Sequence, residues 1–285
     1  MMQLHNVPFL TKLAKRTAQP LSRIVCSKLF YKPVRALDAY LNFLLGKGSG
    51  TGWDIQHEIE GALSRIYTDA PIVFDLGAHR GEWSTRFLQM LPRARVYLFE
   101  PSEGCRQEIR HLNLKYEALI PSAVGARVGQ AKFHFSSPVD PCATLHPRGD
   151  SIFRGVKYTT IDVAVVTIDS VIQEHKLEFI DFMKMDIEGN ELGALQGAIE
   201  AFKARRIGAL SFETSSGNIN SHTFFRDYWT LLSSHGFAIS RVTPGGRLLP
   251  VEEYYEDCEY FRGDSNYIAE LKAHPKRRLF TESKG

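Results

Sequence analysis

Residues 75–82 read Asp-Leu-Gly-Ala-His-Arg-Gly-Glu and follow directly on the apolar run Ile72-Val73-Phe74. A short apolar run that ends in an acid and then a glycine-containing turn is the pattern of a buried strand handing over to a helix. The spacing predicts a strand over 72–76, a helix over 82–91, a second strand over 95–99 and a further helix after Pro101. Such a βαβ unit crosses over right-handed and builds a parallel sheet. Ligands of open parallel sheets sit beyond the carboxyl ends of the strands, where glycine lets the backbone approach and the next helix offers free N–H groups. Asp75 and Glu100 both occupy such strand ends. Glu100, nineteen residues after Gly81, is placed to accept hydrogen bonds from two ribose hydroxyls.

Gly77 and Gly81 are spaced GxxxG, not the GxGxxG of dinucleotide sites. Asp75 would repel a pyrophosphate, whereas a cationic sulfonium with an amino acid tail suits it. These residues point to S-adenosylmethionine rather than NAD. A tight βα turn without a ligand is the plain alternative, and Glu100 weighs against it.

The 285-residue chain, 44% hydrophobic and 24% charged, suits one α/β domain with a short extension, and excludes a disordered tail, a fibre or a disulfide miniprotein. Its apolar runs are far too short to span a bilayer, and no signal peptide is evident, so the expected location is the cytoplasm. Cys26, Cys105, Cys142 and Cys258 lie far apart without a CxxC pair, which suggests neither a zinc site nor disulfides. Charge is unevenly spread. Residues 1–50 hold eight Lys/Arg against Asp38 alone, a balance of +7, and leave 27 bases against 31 acids elsewhere, −4. A body of that sign gives no case for a nucleic-acid partner.

The chain divides into a basic helical extension with a Gly-rich linker (1–52), a main domain (53–272) and a basic tail (273–285). Apolar residues at helical spacing predict helices over 21–31 and 34–45, with Lys and Arg between. Packing on the main domain is the favoured role for them, and peripheral contact with the inner face of a membrane the alternative. Residues 46–52 read as a flexible linker, and Asp54 opens a helix carrying Ile55, Ile59, Leu63 and Ile66 on one face. Further strands are read at 118–124, 180–185 and 207–212, helices at 191–204 and 223–235, and an antiparallel pair at 131–135 and 161–167. Residues 237–242 and 266–269 are strand-like with no long helix between them, so the last strand is expected to return antiparallel.

The chain resembles the FkbM family of class I S-adenosylmethionine-dependent methyltransferases. The resemblance covers about 72–269 and rests on VFDLGAHRGEWS (73–84), LFEPS (98–102), SAVG (122–125), TIDSV (167–171), FMKMDIEGNELGALQGA (182–198), SFE (211–213) and SNYIA (265–269). KxDxEGxE at 184–191 is its most specific element. The family's GANxG turn carries Asn where this chain has His79, which leaves that side chain's contact open. The resemblance implies a Rossmann-like, seven-stranded, mostly parallel sheet with the last strand antiparallel, and O-methyl transfer to a hydroxyl of a carbohydrate, a glycan intermediate or a related metabolite. It further implies Asp75, Gly77, Ala78 and Gly81 around the methionine part of the cofactor, Glu100 at the ribose, Ser122 and Ala123 near the adenine, and Asp186 facing the sulfonium and the acceptor.

A hydroxyl that receives a methyl group must lose its proton, which calls for a base within hydrogen-bond reach or a metal. Asp186, Glu188, Glu213 and His222 are the candidates. Glu191 reads as a helix-terminal acid, and Glu213 either faces the pocket or pairs with Lys184. Nothing in the spacing demands a metal. Tyr254, Tyr255, Tyr260 and Phe261 read as core aromatics, with an acceptor pocket as the alternative. A nicotinamide-dependent oxidoreductase and a noncatalytic cofactor-binding module are the competing functions. Loops 136–160 and 214–224 are expected to shape the acceptor pocket, and the sequence sets neither the acceptor nor the oligomeric state.

Overall fold

The structure, a computed structural model, describes residues 8–50, 54–149, 153–260 and 262–275. The strand β1 (Ile72–Leu76) forms on the apolar run that predicts it and is buried after its first residue. It lies between two parallel neighbours, β2 (Arg95–Phe99) and β7 (Ile180–Met185). Beyond β2 comes β3 (Ala118–Ile120). Beyond β7 come β8 (Ile207–Thr214), β11 (Ser265–Leu271), β9 (Phe237–Val242) and β10 (Leu248–Val251), in the order β10-β9-β11-β8-β7-β1-β2-β3. β11 runs antiparallel to both β8 and β9, as expected of the last strand.

The sheet has eight strands, not seven. After β9 the chain turns through Gly245 and Gly246, at φ +79° and +69°, and returns as β10. Pro250 is tolerated there because an edge strand has one side on which no ladder N–H is needed. The single strand expected over 118–124 is two. Pro121 interrupts it in a three-residue turn closed by Ser122 N to Ile120 O (2.9 Å). β4 (Ala123–Val124) then joins a second sheet, β4-β6-β5, whose β5 (Gly129–Phe135) and β6 (Thr159–Val166) are the expected antiparallel pair.

Alternate residues of a strand face opposite sides. Phe74, Leu76, Met183, Met185, Leu210 and Phe212 fill one core. Val73, Val96, Leu98 and Phe182 fill the other beneath α3 (Ile55–Leu63) and α4 (Glu82–Met90), which contribute Ile59 and Phe87. Full burial of side chains this size contributes about 1.5–3 kcal/mol each. The helix read over 191–204 is two short ones, α7 (Glu191–Gln196) and α8 (Ile199–Lys203). The helix read over 223–235 is α10 (Phe225–Ser234), preceded by α9 (Ser216–Ser221).

The N-terminal helices depart from the favoured expectation. α1 (Pro8–Val25) and α2 (Lys28–Leu44) are longer than predicted, and α2 has no buried residue. Among the described residues their apolar stripes are largely exposed. The following segment, by contrast, is fastened rather than free over residues 46–50; residues 51–53 lie outside the described residues. Lys47 Nζ donates to Asp257 O (2.8 Å), Gly48 N to Ser265 Oγ (3.1 Å) and Gly50 N to Asp264 O (2.8 Å). At the other end His274, read as part of the basic tail, is buried between Tyr67 and Phe179, at ring distances of 4.8 and 5.6 Å. Tyr254 and Tyr255 pack on the core as read, Tyr260 is exposed, and Phe261 and residues 276–285 are outside the described residues.

Candidate active site

The carboxyl ends of β1, β2, β7 and β8 open on a cavity of about 540 Å³, within the roughly 300–1,000 Å³ usual for small-molecule sites. Gly77 forms its floor at φ +76°, where a Cβ would stand 2.0 Å from Asp186 O. Only glycine lets the β1 turn lie against β7 this closely. Gly81, at φ +78°, caps the start of α4 and does not line the cavity.

Asp75 is fully buried and also stands behind the cavity wall rather than in it. Its Oδ2 accepts from Ser84 Oγ (2.6 Å), and its Oδ1 lies 3.3 Å from Lys184 Nζ. Lys184 in turn stands 3.6 Å from Asp186 Oδ2 and donates to Gly77 O (3.1 Å). Burial works against the ammonium's charge, yet Asp75 and Asp186 outweigh it and hold Lys184 above the ordinary lysine value. Lys184 is therefore partnered by these two acids, and the alternative pairing with Glu213 does not form. The expectation that Asp75 itself faces the methionine end is replaced by an indirect arrangement, in which Asp75 holds Lys184 and Lys184 holds the floor.

At the other side of the floor, Glu100 Oε2 accepts from His79 N (2.8 Å) and Oε1 from Ser102 N (2.7 Å). Burial pushes Glu100 up to about 7, against the pull of those two N–H groups. The carboxylate is thus fixed in orientation with lone pairs left for a diol. His79, at φ +48°, turns its ring to Val139 O (3.1 Å), which answers the contact left open by the sequence. It ties the loop carrying Asp140 to the β1 turn. Asp140 accepts from Ser136 N, Ser136 Oγ and Cys142 N (2.7, 2.7 and 2.9 Å); burial opposes its charge, but these donors hold it below the usual range. Ala78, Ser122 and Ala123 also line this half.

The opposite half gathers Asp186, Glu188, Glu213 and Asp264, with Arg148 beside Glu188 and Lys184 beside Asp186. Glu188 sits at φ +56°, a conformation non-glycine residues seldom adopt and one that clusters at functional sites. Its carboxylate pairs with Arg148, whose Nη1 also reaches Ser216 Oγ (3.3 Å). Burial and the neighbouring Asp186 push Glu188 up to about 8 despite that partner. Burial, reinforced by Asp186 and Asp264, raises Glu213 well above the usual range. Burial and then Asp186 raise Asp264. Among the described residues no group of three or more His, Cys, Asp or Glu is arranged to hold a metal ion.

Of the predicted residues the structure brings Gly77, Ala78, Glu100, Ser122, Ala123, Asp186, Glu188 and Glu213 to one cavity. His222 is not among them. It ends α9 in a left-handed conformation (φ +55°) and points to solvent. Glu191 accepts from Ile187 N (2.9 Å) and Gly189 N (3.1 Å), the helix-terminal role read for it. Sequence reasoning missed Arg148 and Asp264. The only signal for them was their position, one inside the loop expected to shape the acceptor pocket and the other beside the SNYIA motif.

Residues 75–239, more than half of the chain, match the Methyltransferase FkbM domain. The 2-O-methyltransferase NoeI of Sinorhizobium fredii (strain NBRC 101917 / NGR234) is 28% identical over 157 residues, a match spanning 50% of this chain and 64% of that protein. Among solved structures, the O-methyltransferase from Bacillus cereus in complex with SAH overlaps 89% of this chain and 96% of its own at 17% identity and a TM-score of 0.44. The precorrin-6y C5,15-methyltransferase from Geobacter metallireducens GS-15 overlaps 75% and 89% at 13% identity and 0.39. Overlaps of this quality assign nothing further. The domain match does: the chain belongs to the FkbM methyltransferase family.

Proposed function

We propose that this methyltransferase takes its methyl group from S-adenosylmethionine and transfers it to a hydroxyl of a carbohydrate or glycan intermediate met in the cytoplasm. The observation that carries the reading is a single cavity with two chemically different halves. One holds the backbone-braced Glu100, and the other holds four carboxyl groups with Arg148 and Lys184 among them. The residues fit the cofactor. Glu100 offers oxygens to the ribose diol, Ser122 and Ala123 border the adenine, and Gly77 and Ala78 expose backbone to the methionine end. Asp75 acts there only through Lys184.

When bound, the cofactor supplies an electrophilic methyl group on a cationic sulfur. Lys184 fixes Asp186 beside the point of transfer, and the chain's remaining task is to hold an acceptor oxygen about 3 Å from the methyl carbon and in line with the departing sulfur. Either Asp186 or Glu188 would accept the hydroxyl proton as the C–O bond forms and the methyl–sulfur bond breaks. Glu213 and Asp264, both held above the usual carboxylate range, offer further oxygens to hydroxyls, a lining that suits a neutral polyol. The name of the Sinorhizobium relative, a 2-O-methyltransferase, supports an oxygen acceptor.

The test is transfer of a radiolabelled methyl group from S-adenosylmethionine to a panel of neutral, amino and acidic oligosaccharides. Label should enter a neutral or amino sugar, and Asp186→Asn or Glu188→Gln should cut turnover at least tenfold while S-adenosylhomocysteine still binds. Normal turnover in both variants with unchanged cofactor affinity would remove these two acids from the mechanism. Labelling of acidic sugars alone would overturn the acceptor class.

A further inference from the structure

The two N-terminal helices carry the largest unpartnered surface among the described residues, and its pattern is specific. Along α2, Leu29, Val34, Leu37, Tyr40, Leu41 and Leu44 recur at helical spacing on one side, and all are between 39% and 75% exposed. Lys28, Lys32 and Arg35 recur on the other. α1 repeats the arrangement, with Phe9, Leu13, Leu21 and Ile24 exposed on one side and Lys12, Lys15, Arg16 and Arg23 opposite. The single acid of the pair, Asp38, is already matched by Arg262 of the main domain. An exposed apolar stripe backed by seven bases that form no ion pair among the described residues is the design of a helix that lies in a lipid–water interface. Among the described residues no helix is long and apolar enough to cross a membrane.

We infer that α1 and α2 form an interfacial hairpin that docks the enzyme onto an anionic phospholipid surface. Charge chooses this occupant over a second copy of the chain. A second copy would cover the apolar stripes but leave the bases unmatched, whereas the acidic headgroups of a lipid surface both accept the stripes and neutralise the bases. The fastening of residues 45–50 fits the same role. Arg241 Nη1 donates to Leu45 O (3.2 Å), Lys47 binds Asp257, and Gly50 N reaches Asp264 O (2.8 Å). The hairpin is therefore held by the strand end that supplies Asp264 to the cavity, not by a slack tether. This inference stands independently of the acceptor and of the methyl donor.

The experiment is co-sedimentation of the full chain with vesicles of equal parts phosphatidylglycerol and phosphatidylcholine, and with vesicles of phosphatidylcholine alone. Three proteins are compared: the wild type, Leu29→Ser/Leu37→Ser/Leu41→Ser, and Lys12→Gln/Lys15→Gln/Arg16→Gln. All substituted residues lie on the hairpin surface, and an unchanged melting temperature confirms that each variant folds. The wild type should sediment with the anionic vesicles at low salt, at least tenfold less with neutral ones, and at least tenfold less in either variant. Absence from the anionic vesicles overturns the inference. So does equal binding to both vesicle types, and so does a concentration-dependent dimer, abolished by the leucine substitutions, that ignores vesicles.

Discussion

Replacing Lys184 by Met tests how the floor of the cavity is held. The ammonium is 3% exposed, 3.3 Å from Asp75 and 3.6 Å from Asp186, and it donates to Gly77 O. Met keeps the length of the side chain but leaves the fully buried Asp75 with Ser84 as its one hydrogen-bond donor among the described residues. Removing one member of a buried ion pair costs about 3–5 kcal/mol, because a charge stays behind in a medium that solvates it poorly. In a chain of this size each kcal/mol moves the midpoint by roughly 2–4 °C, so Lys184→Met should melt about 6–20 °C lower. Calorimetric melting at neutral pH reads this directly. A cycle with Asp75→Asn isolates the pair: each single variant should be destabilised, and the double variant by at least about 1 kcal/mol less than their sum. A Lys184→Met midpoint within a degree or two of the wild type, or strict additivity in the cycle, would refute the claim that this lysine braces the two strand ends.

Glu58 is 3% exposed beneath the sheet, accepts from Ser211 Oγ (2.7 Å), and is pushed up to about 7 mainly by burial. A carboxyl whose folded value is raised leaves the protein most stable below its unfolded value near 4.5 and costs stability as pH rises through 7. Glu58→Gln should therefore stabilise the protein at pH 8, by up to about 3 kcal/mol at roughly 1.4 kcal/mol per unit and read as a higher melting temperature, and change little at pH 4.5; a variant less stable at pH 8 would contradict this. Gly77→Ala puts a Cβ 2.0 Å from Asp186 O and should cost at least about 3 kcal/mol, the left-handed strain alone accounting for about 1–2. Gly129→Ala, with nothing within 4 Å of the added carbon, serves as the control in the same melts. Since Glu188 must lose a proton held up to about 8, turnover through it should climb as pH rises across that value, and Glu188→Gln should flatten the profile.

The central strands were legible because β1 and β2 are short, mostly apolar runs with an acid at or just beyond their ends, and β7 keeps apolar residues around Asp181 and Lys184 ahead of Asp186. β10 was not, since a Pro-containing stretch reads as loop unless its place on a sheet edge is known. The break at Pro121 is the same lesson from the opposite side: an apolar run looked continuous where a residue without an N–H had ended the ladder. For α1 and α2 the amphipathic pattern was visible, but a stripe that packs on a domain and a stripe that faces solvent are spelled alike. In the active site, Gly77 and Glu100 could be placed because turn geometry and strand ends are local properties. That Asp75 spends its charge on Lys184, or that Arg148 and Asp264 meet Glu188 and Glu213 across the cavity, depends on which distant loops converge. No spacing in the chain encodes that.

Titration calorimetry with S-adenosylhomocysteine on the wild type and Glu100→Ala, with NADH as the control ligand, tests the central claim most directly. Loss of two charge-assisted hydrogen bonds, worth about 1.5–3 kcal/mol each, should weaken S-adenosylhomocysteine by about 100-fold or more, and NADH should bind neither protein. Wild-type affinity retained in Glu100→Ala, or NADH binding in place of S-adenosylhomocysteine, would contradict the cofactor assignment and the division of the cavity built on it.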